Sequence, residues 1–319
     1  MKGYKGFEKG LVCRGKQYAE NTVFKEDKAV ICEKGMHFCK NPFDVLEYYP
    51  LINDECELNE FAEVKALDDA KTDDDKKFCT TKLKIGAKLS LKGFIEACVG
   101  FVIENTKHET KNDVASSKLA ASGNYSKLAA SGASSQLAAS GASSKLAASG
   151  NYSKLAASGD SSKLAASGYY SQLAASGESS QLAASGDSSQ LAASGDSSKL
   201  AASGDSSKLA ASGASSKLAA SGYYSQLAAS GESSQLAASG DSSQLAASGK
   251  HSVVAGIGIN NIAKAVKGCW ITLAEWRFNS EEDKYIPVCV KTEYVDGERI
   301  KENTFYKLEN CEFVEVNNN

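Results

Sequence analysis

The sequence has few prolines, methionines and tryptophans: its 319 residues include 3 Pro, 2 Met and 2 Trp. It lacks any apolar run of about eighteen residues, the length that a transmembrane helix needs. Its first residues, Met-Lys-Gly-Tyr-Lys-Gly-Phe-Glu, lack the apolar core of a signal peptide. The sequence therefore predicts a cytoplasmic protein with no membrane association.

An excess of charge of one sign is also absent, because 36 Lys and Arg stand against 39 Asp and Glu. The net charge of −3 creates no field strong enough for non-specific binding to nucleic acid or to an anionic membrane. We therefore expect no nucleic-acid partner.

The cysteines lack the spacing of a disulfide framework. There are 9, an odd number, with none between residues 99 and 268 and no Cys-x-x-Cys pair. This pattern is more typical of free thiols in a reducing compartment. Cys13, Cys32, His37 and Cys39 are candidate zinc ligands, but no compact second pair accompanies them. The sequence thus predicts free cysteines, no metal site and no cofactor.

The dominant feature is a leucine that recurs every nine residues, giving fifteen repeats over residues 115–249. Six positions never vary: a Ser two residues before the Leu, the Leu itself, two Ala, a Ser and a Gly. The residue before the Leu is Lys or Gln, the third before it is Ser or Tyr, and the fourth is Asp, Glu, Asn, Ala or Tyr. Calcium-binding nonapeptides share the period but need more glycines and a differently placed acid, so calcium is not expected.

Three structures compete for these repeats. A continuous helix is excluded, because nine residues make about 2.5 turns and would send successive leucines to opposite faces. A disordered linker has a similar composition, but it gives no reason to keep one Leu and two Ala in phase fifteen times. A β-solenoid, in which each repeat forms one strand and one corner, explains the fixed phase.

The solenoid also predicts the role of each invariant position. In an extended Ser-Lys-Leu-Ala-Ala segment, the Ser, the Leu and the second Ala point inward, while the Lys or Gln and the first Ala point outward. The Gly supplies a corner that needs a positive φ or a close backbone approach. Two repeats form each flattened coil, and at roughly 4.8 Å per coil the rod is about 36 Å long.

Tyrosines are the candidate binding residues on the rod. The pairs Tyr169-Tyr170 and Tyr223-Tyr224 lie three coils apart, and Tyr125 and Tyr152 occupy the repeat position of Tyr170 and Tyr224. They form either a recognition stripe, since Tyr is favoured in contact surfaces, or the trace of a duplication. The duplication is visible in the sequence, because residues 169–195 and 223–249 are identical.

Residues 1–112 predict an α+β cap domain, with short strands near Val12, Val30 and Phe38 and a helix that begins at Asn41-Pro42. Residues 268–319 predict a β-rich cap, with strands at 269–276, 285–295, 299–300, 304–308 and 311–316 and a hairpin turn at Asp296-Gly297. The second cap would close the end of the rod, and its remaining strand edge is a candidate for pairing with another copy.

Two sequence runs carry a resemblance. Residues 35–49, Gly-Met-His-Phe-Cys-Lys-Asn-Pro-Phe-Asp-Val-Leu-Glu-Tyr-Tyr, with Cys-Arg-Gly at 13–15, resemble an uncharacterised N-terminal domain of phage and prophage proteins that often precedes Ser/Gly/Ala repeats. The ending Gly-Cys-Trp-Ile-Thr-Leu-Ala-Glu-Trp at 268–276 resembles the C-terminal region of the same proteins. The resemblance implies a phage or prophage source and carries over no catalytic residue.

The N-terminal domain offers a candidate cleft of four residues: Arg14, His37, Cys39 and Tyr49. His37 and Cys39, two apart on one side of a strand, are a candidate base and nucleophile. The segments around Arg14 and His37 resemble the substrate-cleft strands of ADP-ribosyltransferases, although the catalytic Glu of that family cannot be located. The alternative is a partly buried strand without chemistry.

These observations predict a mainly β protein: an α+β domain over 1–112, a nonapeptide β-solenoid over 113–267 and a β-rich domain over 268–319. We expect a non-enzymatic structural or protein-binding rod, specifically a phage-encoded factor that binds and modulates a host protein such as a defence component. The alternatives are a self-assembling scaffold or fibre, and an enzyme with an ADP-ribosyltransferase-like N-terminal domain.

Overall fold

The computed structural model describes residues 1–31, 33–53, 57–106 and 117–316. Cys32, one candidate metal ligand, and the predicted domain boundary at residues 112–113 lie outside the described residues. No helix in the described part is long and apolar enough to cross a membrane.

The N-terminal domain is built on an antiparallel sheet of seven strands in the order β4-β9-β6-β1-β5-β8-β7, with a separate two-stranded ribbon, β2-β3. Its strands are β1 (Lys2–Phe7), β2 (Val12–Cys13), β3 (Lys16–Gln17), β4 (Val23–Lys25), β5 (Met36–Cys39), β6 (Glu60–Ala66), β7 (Ala70–Lys71), β8 (Lys77–Thr80) and β9 (Lys82–Leu89). Two helices follow strands: α1 (Pro42–Val45) and α2 (Leu91–Thr106).

Local sequence explains most of this domain. The side chain of Asn41 accepts a hydrogen bond from the Phe43 amide at 3.1 Å, so the predicted helix start is confirmed. The strand expected near Val30 is wrong, because Val30 forms only an isolated bridge to Lys34.

The repeats form a β-solenoid of two parallel sheets, as predicted. Alternate strands belong to alternate sheets, and each strand pairs with the strand eighteen residues later, so that Leu137 lies beside Leu155. We call the sheet of even-numbered strands the covered sheet: β10 (Lys118–Ala121), β12 (Gln136–Ala139), β14 (Lys154–Ala157), β16 (Gln172–Ala175), β18 (Gln190–Ala193), β20 (Lys208–Ala211), β22 (Gln226–Ala229), β24 (Gln244–Ala247) and β26 (Ile262–Ala265). The open sheet has the odd-numbered strands: β11 (Lys127–Ala130), β13 (Lys145–Ala148), β15 (Lys163–Ala166), β17 (Gln181–Ala184), β19 (Lys199–Ala202), β21 (Lys217–Ala220), β23 (Gln235–Ala238), β25 (Val253–Gly256) and β27 (Trp270–Asn279).

The interior follows the predicted alternation. Ser162, Leu164 and Ala166 are buried between the two sheets, whereas Lys163 and Ala165 face outward on the open sheet. From Ser126 to Ser252, each inward Ser hydroxyl donates to the carbonyl of the Gly three residues earlier, as Ser162 does to Gly159 at 2.6 Å. The core is therefore a stack of leucines flanked by small side chains.

The corners decide between the two roles predicted for the repeat glycine, a positive φ or a close backbone approach. The left-handed conformation belongs to the residue three before the Leu, as at Ser161 with φ 55° and Tyr170 with φ 56°. None of the repeat glycines in residues 117–249 has a positive φ. Glycine is needed instead for close approach, because a Cβ at Gly186 would lie 2.3 Å from the Gly168 carbonyl oxygen of the coil below.

Acidic and amide side chains at the corners link successive coils. A carboxylate oxygen of Asp160 accepts from the Glu178 amide at 3.0 Å, and Asn151 accepts from the Tyr169 amide at the same distance. Each bond spans eighteen residues. The Asp and Asn residues of the variable fourth position therefore help to hold the stack in register.

The N-terminal domain packs along the side of the rod rather than capping its end, which differs from the sequence-based expectation. One apolar cluster joins Phe43, Ile52 and Phe94 to the outward alanines of the covered sheet. These alanines are Ala138, Ala156, Ala174, Ala192, Ala210, Ala228 and Ala246. Helix α2 runs against the first strands of the same sheet.

The C-terminal residues close the rod, as predicted. Strand β28 (Lys284–Tyr294) pairs antiparallel with β27, and β29 (Tyr306–Glu309) and β30 (Glu312–Glu315) extend the covered sheet. Val295 and Tyr306 join the core of the rod. The strand expected at 299–300 is wrong, because that segment lies in a loop and only Ile300 is buried. The Asp296-Gly297 turn leads into this loop rather than into a hairpin strand.

The expectation of free cysteines is wrong for one pair. Cys289 in β28 and Cys311, in the turn between β29 and β30, form a disulfide with their Cα atoms 5.7 Å apart. The fold brings together two cysteines that are 22 residues apart, which spacing alone does not reveal. Cys13, Cys39, Cys98 and Cys269 are free and buried, and Cys79 is buried as well.

Candidate functional site

The four cleft residues predicted from the sequence line a single cavity of about 250 Å³ in the N-terminal domain. Arg14 comes from the β2–β3 turn, His37 and Cys39 from β5, and Tyr49 from the segment after α1. The structure therefore brings Arg14, His37, Cys39 and Tyr49 together, and their function stays a prediction.

A buried lysine that sequence reasoning did not single out lies in the same cavity. Lys5 is only 5% exposed, and its ammonium donates to the Cys13 sulfur at 3.1 Å and to the His37 carbonyl at 3.0 Å. The Tyr49 hydroxyl also donates to the Cys13 sulfur, at 3.0 Å. The sequence feature that could have drawn attention to Lys5 is its place among glycines and aromatic residues in β1, Lys-Gly-Tyr-Lys-Gly-Phe.

The turn that carries Arg14 has an unfavourable backbone for that residue. Arg14 and Gly15 have φ values of 51° and 72° and join β2 to β3 as a two-residue hairpin turn. Such turns favour Asn-Gly, because Asn tolerates the left-handed region better than a long side chain does. Placing Arg at this position therefore costs stability, a feature often found at functional sites.

The electrostatics argue against His37 and Cys39 as a base and a nucleophile. Burial, with the neighbouring cations Lys77, Lys5 and Arg14, lowers the pKa of His37 to about 4. Burial, with the carboxylates Asp44 and Glu47, raises the pKa of the Cys39 thiol to about 12. Near neutral pH the thiol is therefore protonated, and a neutral His37 is too weak a base to change that.

The described part of the chain contains no group of three or more His, Cys, Asp or Glu side chains that could hold a metal ion. Two carboxylates line the cavity, Glu26 and Glu33, and Glu26 forms an ion pair with Lys16. The cavity thus has more cationic than anionic side chains.

The structure separates the six candidate tyrosines. Five of them occupy the edge of the rod at the corners before covered-sheet strands: Tyr152, Tyr169, Tyr170, Tyr223 and Tyr224. Tyr125 lies on the opposite edge, at the corner before β11. All six are more than half exposed, and the rings of Tyr152 and Tyr170 stack with centroids 5.2 Å apart.

The two faces of the rod have nearly the same sequence but different surroundings. The outward alanines of the covered sheet are buried under the N-terminal domain. Those of the open sheet are exposed: Ala129, Ala147, Ala165, Ala183, Ala201, Ala219 and Ala237. We call this exposed side of the open sheet, from β11 to β27, the open face.

The residue before the repeat Leu, which is Lys or Gln, differs between the two faces. On the covered sheet it is Gln in five strands, and two of its lysines meet the N-terminal domain, with Lys154 2.7 Å from Asp44 and Lys208 3.1 Å from the Ile52 carbonyl. On the open face five strands carry exposed lysines: Lys127, Lys145, Lys163, Lys199 and Lys217. No ion pair of these five exists among the described residues. The open face therefore carries a row of five exposed lysines, and four acids, Asp160, Glu178, Asp196 and Glu232, lie at the corners that lead into its strands.

Residues 1–97 match a domain of unknown function, DUF7666. The match includes every residue of the cavity and none of the repeats. No curated protein and no solved structure matches the chain.

The C-terminal end of the open face is apolar. Val253 and Trp270 continue the column of lysines, and Trp270 contacts Tyr294 of β28 with ring centroids 5.1 Å apart. Val253, Trp270 and Tyr294 each have 41–48% of their surface exposed. The open face thus combines a flat row of alanines, a row of lysines and an apolar end.

Proposed function

We propose that the protein is a protein-binding rod whose open face docks a flat, acidic surface of a partner protein. The observation that carries this proposal is the covered sheet. There the same repeat surface already holds a folded domain, through an alanine row against Phe43 and Phe94 and through Lys154 against Asp44.

The chemistry of the open face defines the partner. Its alanines are small enough for a flat surface to approach the backbone closely, and its five lysines favour carboxylates on the other side. Charged groups of opposite sign mainly give specificity and a fast association rate. The partner therefore presents an apolar strip flanked by Asp or Glu.

The size of the face sets a further requirement. Nine strands at roughly 4.8 Å spacing and about 13 Å length give an area on the order of 560 Å². A stable interface buries about 800 Å² on each partner. The partner must therefore also contact the apolar end at Val253, Trp270 and Tyr294.

The resemblance to phage and prophage proteins makes a protein of a bacterial host the expected partner, and modulation of that protein the expected effect. The experiment starts with proteins enriched from a bacterial host lysate, each identified, purified and measured for its dissociation constant. We expect a triple variant to bind at least tenfold more weakly. It changes Lys145, Lys163 and Lys199 to Glu, which reverses the charge of each side chain. The control reverses Lys2, Lys25 and Lys65, exposed lysines of the N-terminal domain, and should leave binding within twofold.

A third variant separates the open face from the tyrosine edge. It changes Tyr169, Tyr170, Tyr223 and Tyr224 to Ser, which leaves the lysines in place. Loss of binding in this variant together with full binding by the lysine variant would overturn docking on the open face and favour the recognition stripe.

Self-assembly is a second candidate, and strand β28 favours it. This strand of 11 residues ends its sheet in the described structure and exposes Tyr285, Val288 and Val290. Unpaired strand edges of this kind pair with other chains. Light scattering of the purified chain tests this, with Val290→Lys expected to abolish any oligomer, whereas a monomer at all concentrations contradicts it.

The enzymatic alternative rests on the cavity, and an ADP-ribosyltransferase-like reaction would need a carboxylate there. Of the two present, Glu26 is already engaged by Lys16. Turnover of NAD with a loss in Arg14→Ala and His37→Ala would support this alternative over the binding rod.

A further inference from the structure

We propose that the cavity of the N-terminal domain binds a phosphate monoester of a small ring compound, with its phosphate near Lys5 and Arg14 and its ring against the aromatic wall. This site is independent of the open face, because it lies wholly within the first 77 residues.

The charge balance of the cavity is the first argument. Five cationic side chains line it, Lys5, Arg14, Lys16, Lys34 and Lys77, against two carboxylates. One of the five, Lys16, is neutralised by Glu26. The remaining four cationic side chains face one remaining carboxylate, Glu33, so a bound dianion would balance the excess positive charge. A phosphate monoester is such a dianion near neutral pH.

The burial of Lys5 is the second argument. Its ammonium contacts the Cys13 sulfur and the His37 carbonyl, and the rings of Phe7 and Tyr18 lie 5.4 and 5.5 Å away. No ion pair of Lys5 with a carboxylate exists in the described structure. A buried charge without a counter-charge is unfavourable, so an anion in the cavity would relieve this cost.

The strained position of Arg14 is the third argument. Its left-handed backbone, at φ 51°, places the side chain at the cavity, and none of the described hydrogen bonds or ion pairs involves its guanidinium. A guanidinium presents a planar fork of donors that matches a phosphate. The strain is therefore explained if Arg14 serves a ligand.

The remaining wall and the volume define the rest of the ligand. Phe38, Val45, Tyr48 and Tyr49 line the cavity together with the cations, so the bound molecule has an apolar or aromatic part. A volume of about 250 Å³ lies below the range of about 300–1,000 Å³ for typical ligand sites. The cavity therefore suits one ring rather than a dinucleotide.

Isothermal titration of the full chain with phenyl phosphate tests the proposal. We expect saturable binding, at least tenfold tighter than that of inorganic phosphate and of phenol. Failure of phenyl phosphate to bind at millimolar concentration would overturn the proposal, and equal binding of inorganic phosphate would overturn the role of the ring.

Two variants separate binding from folding. Arg14→Asn should weaken phenyl phosphate binding at least tenfold while raising the melting temperature, because Asn tolerates the left-handed turn better. Arg277→Gln, at the far end of the chain, is the control and should bind as the unaltered protein does. Unchanged binding by Arg14→Asn would overturn the proposal.

The imidazole of His37 gives an independent readout. An anion close to this ring stabilises its protonated form, so phenyl phosphate should raise its pKa from about 4. Titration of the His37 resonances by NMR, with and without phenyl phosphate, measures this shift. An unchanged titration at saturating phenyl phosphate would place the ligand elsewhere.

Discussion

The ammonium of Lys154 lies 2.7 Å from a carboxylate oxygen of Asp44, although 110 residues separate them in the sequence. Both side chains are largely buried, with 12% and 9% of their surface exposed. Asp44 belongs to α1 and Lys154 to β14, so this ion pair fastens the N-terminal domain to the side of the rod. It is a specific contact, because five other strands of the covered sheet carry Gln at the position of Lys154.

Removal of one partner of this pair should be strongly destabilising. Asp44→Ala leaves the Lys154 ammonium with only the more exposed Glu47 carboxylate, 3.8 Å away, and we expect a loss of about 3 kcal/mol in the free energy of unfolding, measured in urea. The double variant Asp44→Asn with Lys154→Gln should recover most of this loss, since it leaves no buried charge. Lys163→Gln, the matched change on the open face, should have an effect below about 0.5 kcal/mol. Equal stability of Asp44→Ala and the unaltered chain would contradict the buried pair.

The close approach of successive coils predicts a difference between two glycines. Gly186→Ala places a methyl group 2.3 Å from the Gly168 carbonyl oxygen, and the coils must separate. We expect the free energy of unfolding to fall by about 1–3 kcal/mol, the usual cost of overpacking. In Gly123→Ala the new Cβ meets, among the described residues, only the Ser126 hydroxyl, at 3.8 Å. Thermal unfolding followed by circular dichroism should show a lower midpoint for Gly186→Ala alone.

The left-handed corners predict a stabilising substitution. Ser161 has a φ of 55°, and Asn260 occupies the same repeat position with a φ of 57°. Because Asn accepts this conformation more readily, Ser161→Asn should stabilise the protein by about 0.5–1 kcal/mol. The neighbouring Ser162→Val should destabilise it, since Ser162 is fully buried and its hydroxyl donates to the Gly159 carbonyl, which Val cannot do. Urea unfolding of the two variants measures both effects, and a loss of stability in Ser161→Asn would contradict the assigned corner.

The lowered pKa of His37 predicts a dependence of stability on pH. Burial and nearby cations lower this pKa from 6.5 to about 4, so in that window the unfolded chain binds more protons than the folded one. Stability that is present above about pH 6.5 is therefore lost progressively as the pH falls to about 4. His37→Gln removes this contribution, and urea unfolding at pH 7 and pH 4.5 should show a smaller acid loss in the variant. The same loss in both proteins would contradict the assignment.

The Cys289–Cys311 disulfide predicts a sensitivity to reductants. It closes a loop with a sequence separation of 22 and joins the ends of the two sheets. Replacement of both cysteines by Ala should cost about 3 kcal/mol, the stabilisation expected from a loop of this length. Dithiothreitol should lower the melting temperature of the unaltered chain toward that of the variant and should not affect the variant. A reductant effect of equal size in both would contradict the bond.

The interior of the rod could be predicted from single residues. Ser153, Leu155 and Ala157 point inward because side chains alternate along a strand, and the nine-residue period repeats this choice in every strand. The strand predicted at 299–300 failed for the opposite reason. Ile300 is apolar and buried, but a buried residue in a loop has no period that distinguishes it from a strand.

The candidate cavity was only partly predictable. Arg14, His37, Cys39 and Tyr49 stood out by residue type and local motif, and they line one cavity. Lys5 was missed, because its burial depends on contact with β5. The His37 carbonyl of that strand, which accepts from the Lys5 ammonium, is 32 residues away in the sequence. The glycine-rich strand makes this lysine noticeable in the sequence, but it does not show that His37 is its partner.

A local pattern repeated fifteen times is sufficient to predict the solenoid, its eighteen-residue coil and the inward leucines. Long-range packing selects which face of the rod is covered, which edge carries five of the tyrosines and which two cysteines are joined. Near-identical repeats offer the same surface on both faces. The choice between the faces therefore comes from contacts such as Lys154 with Asp44, which form only when distant parts of the chain pack together.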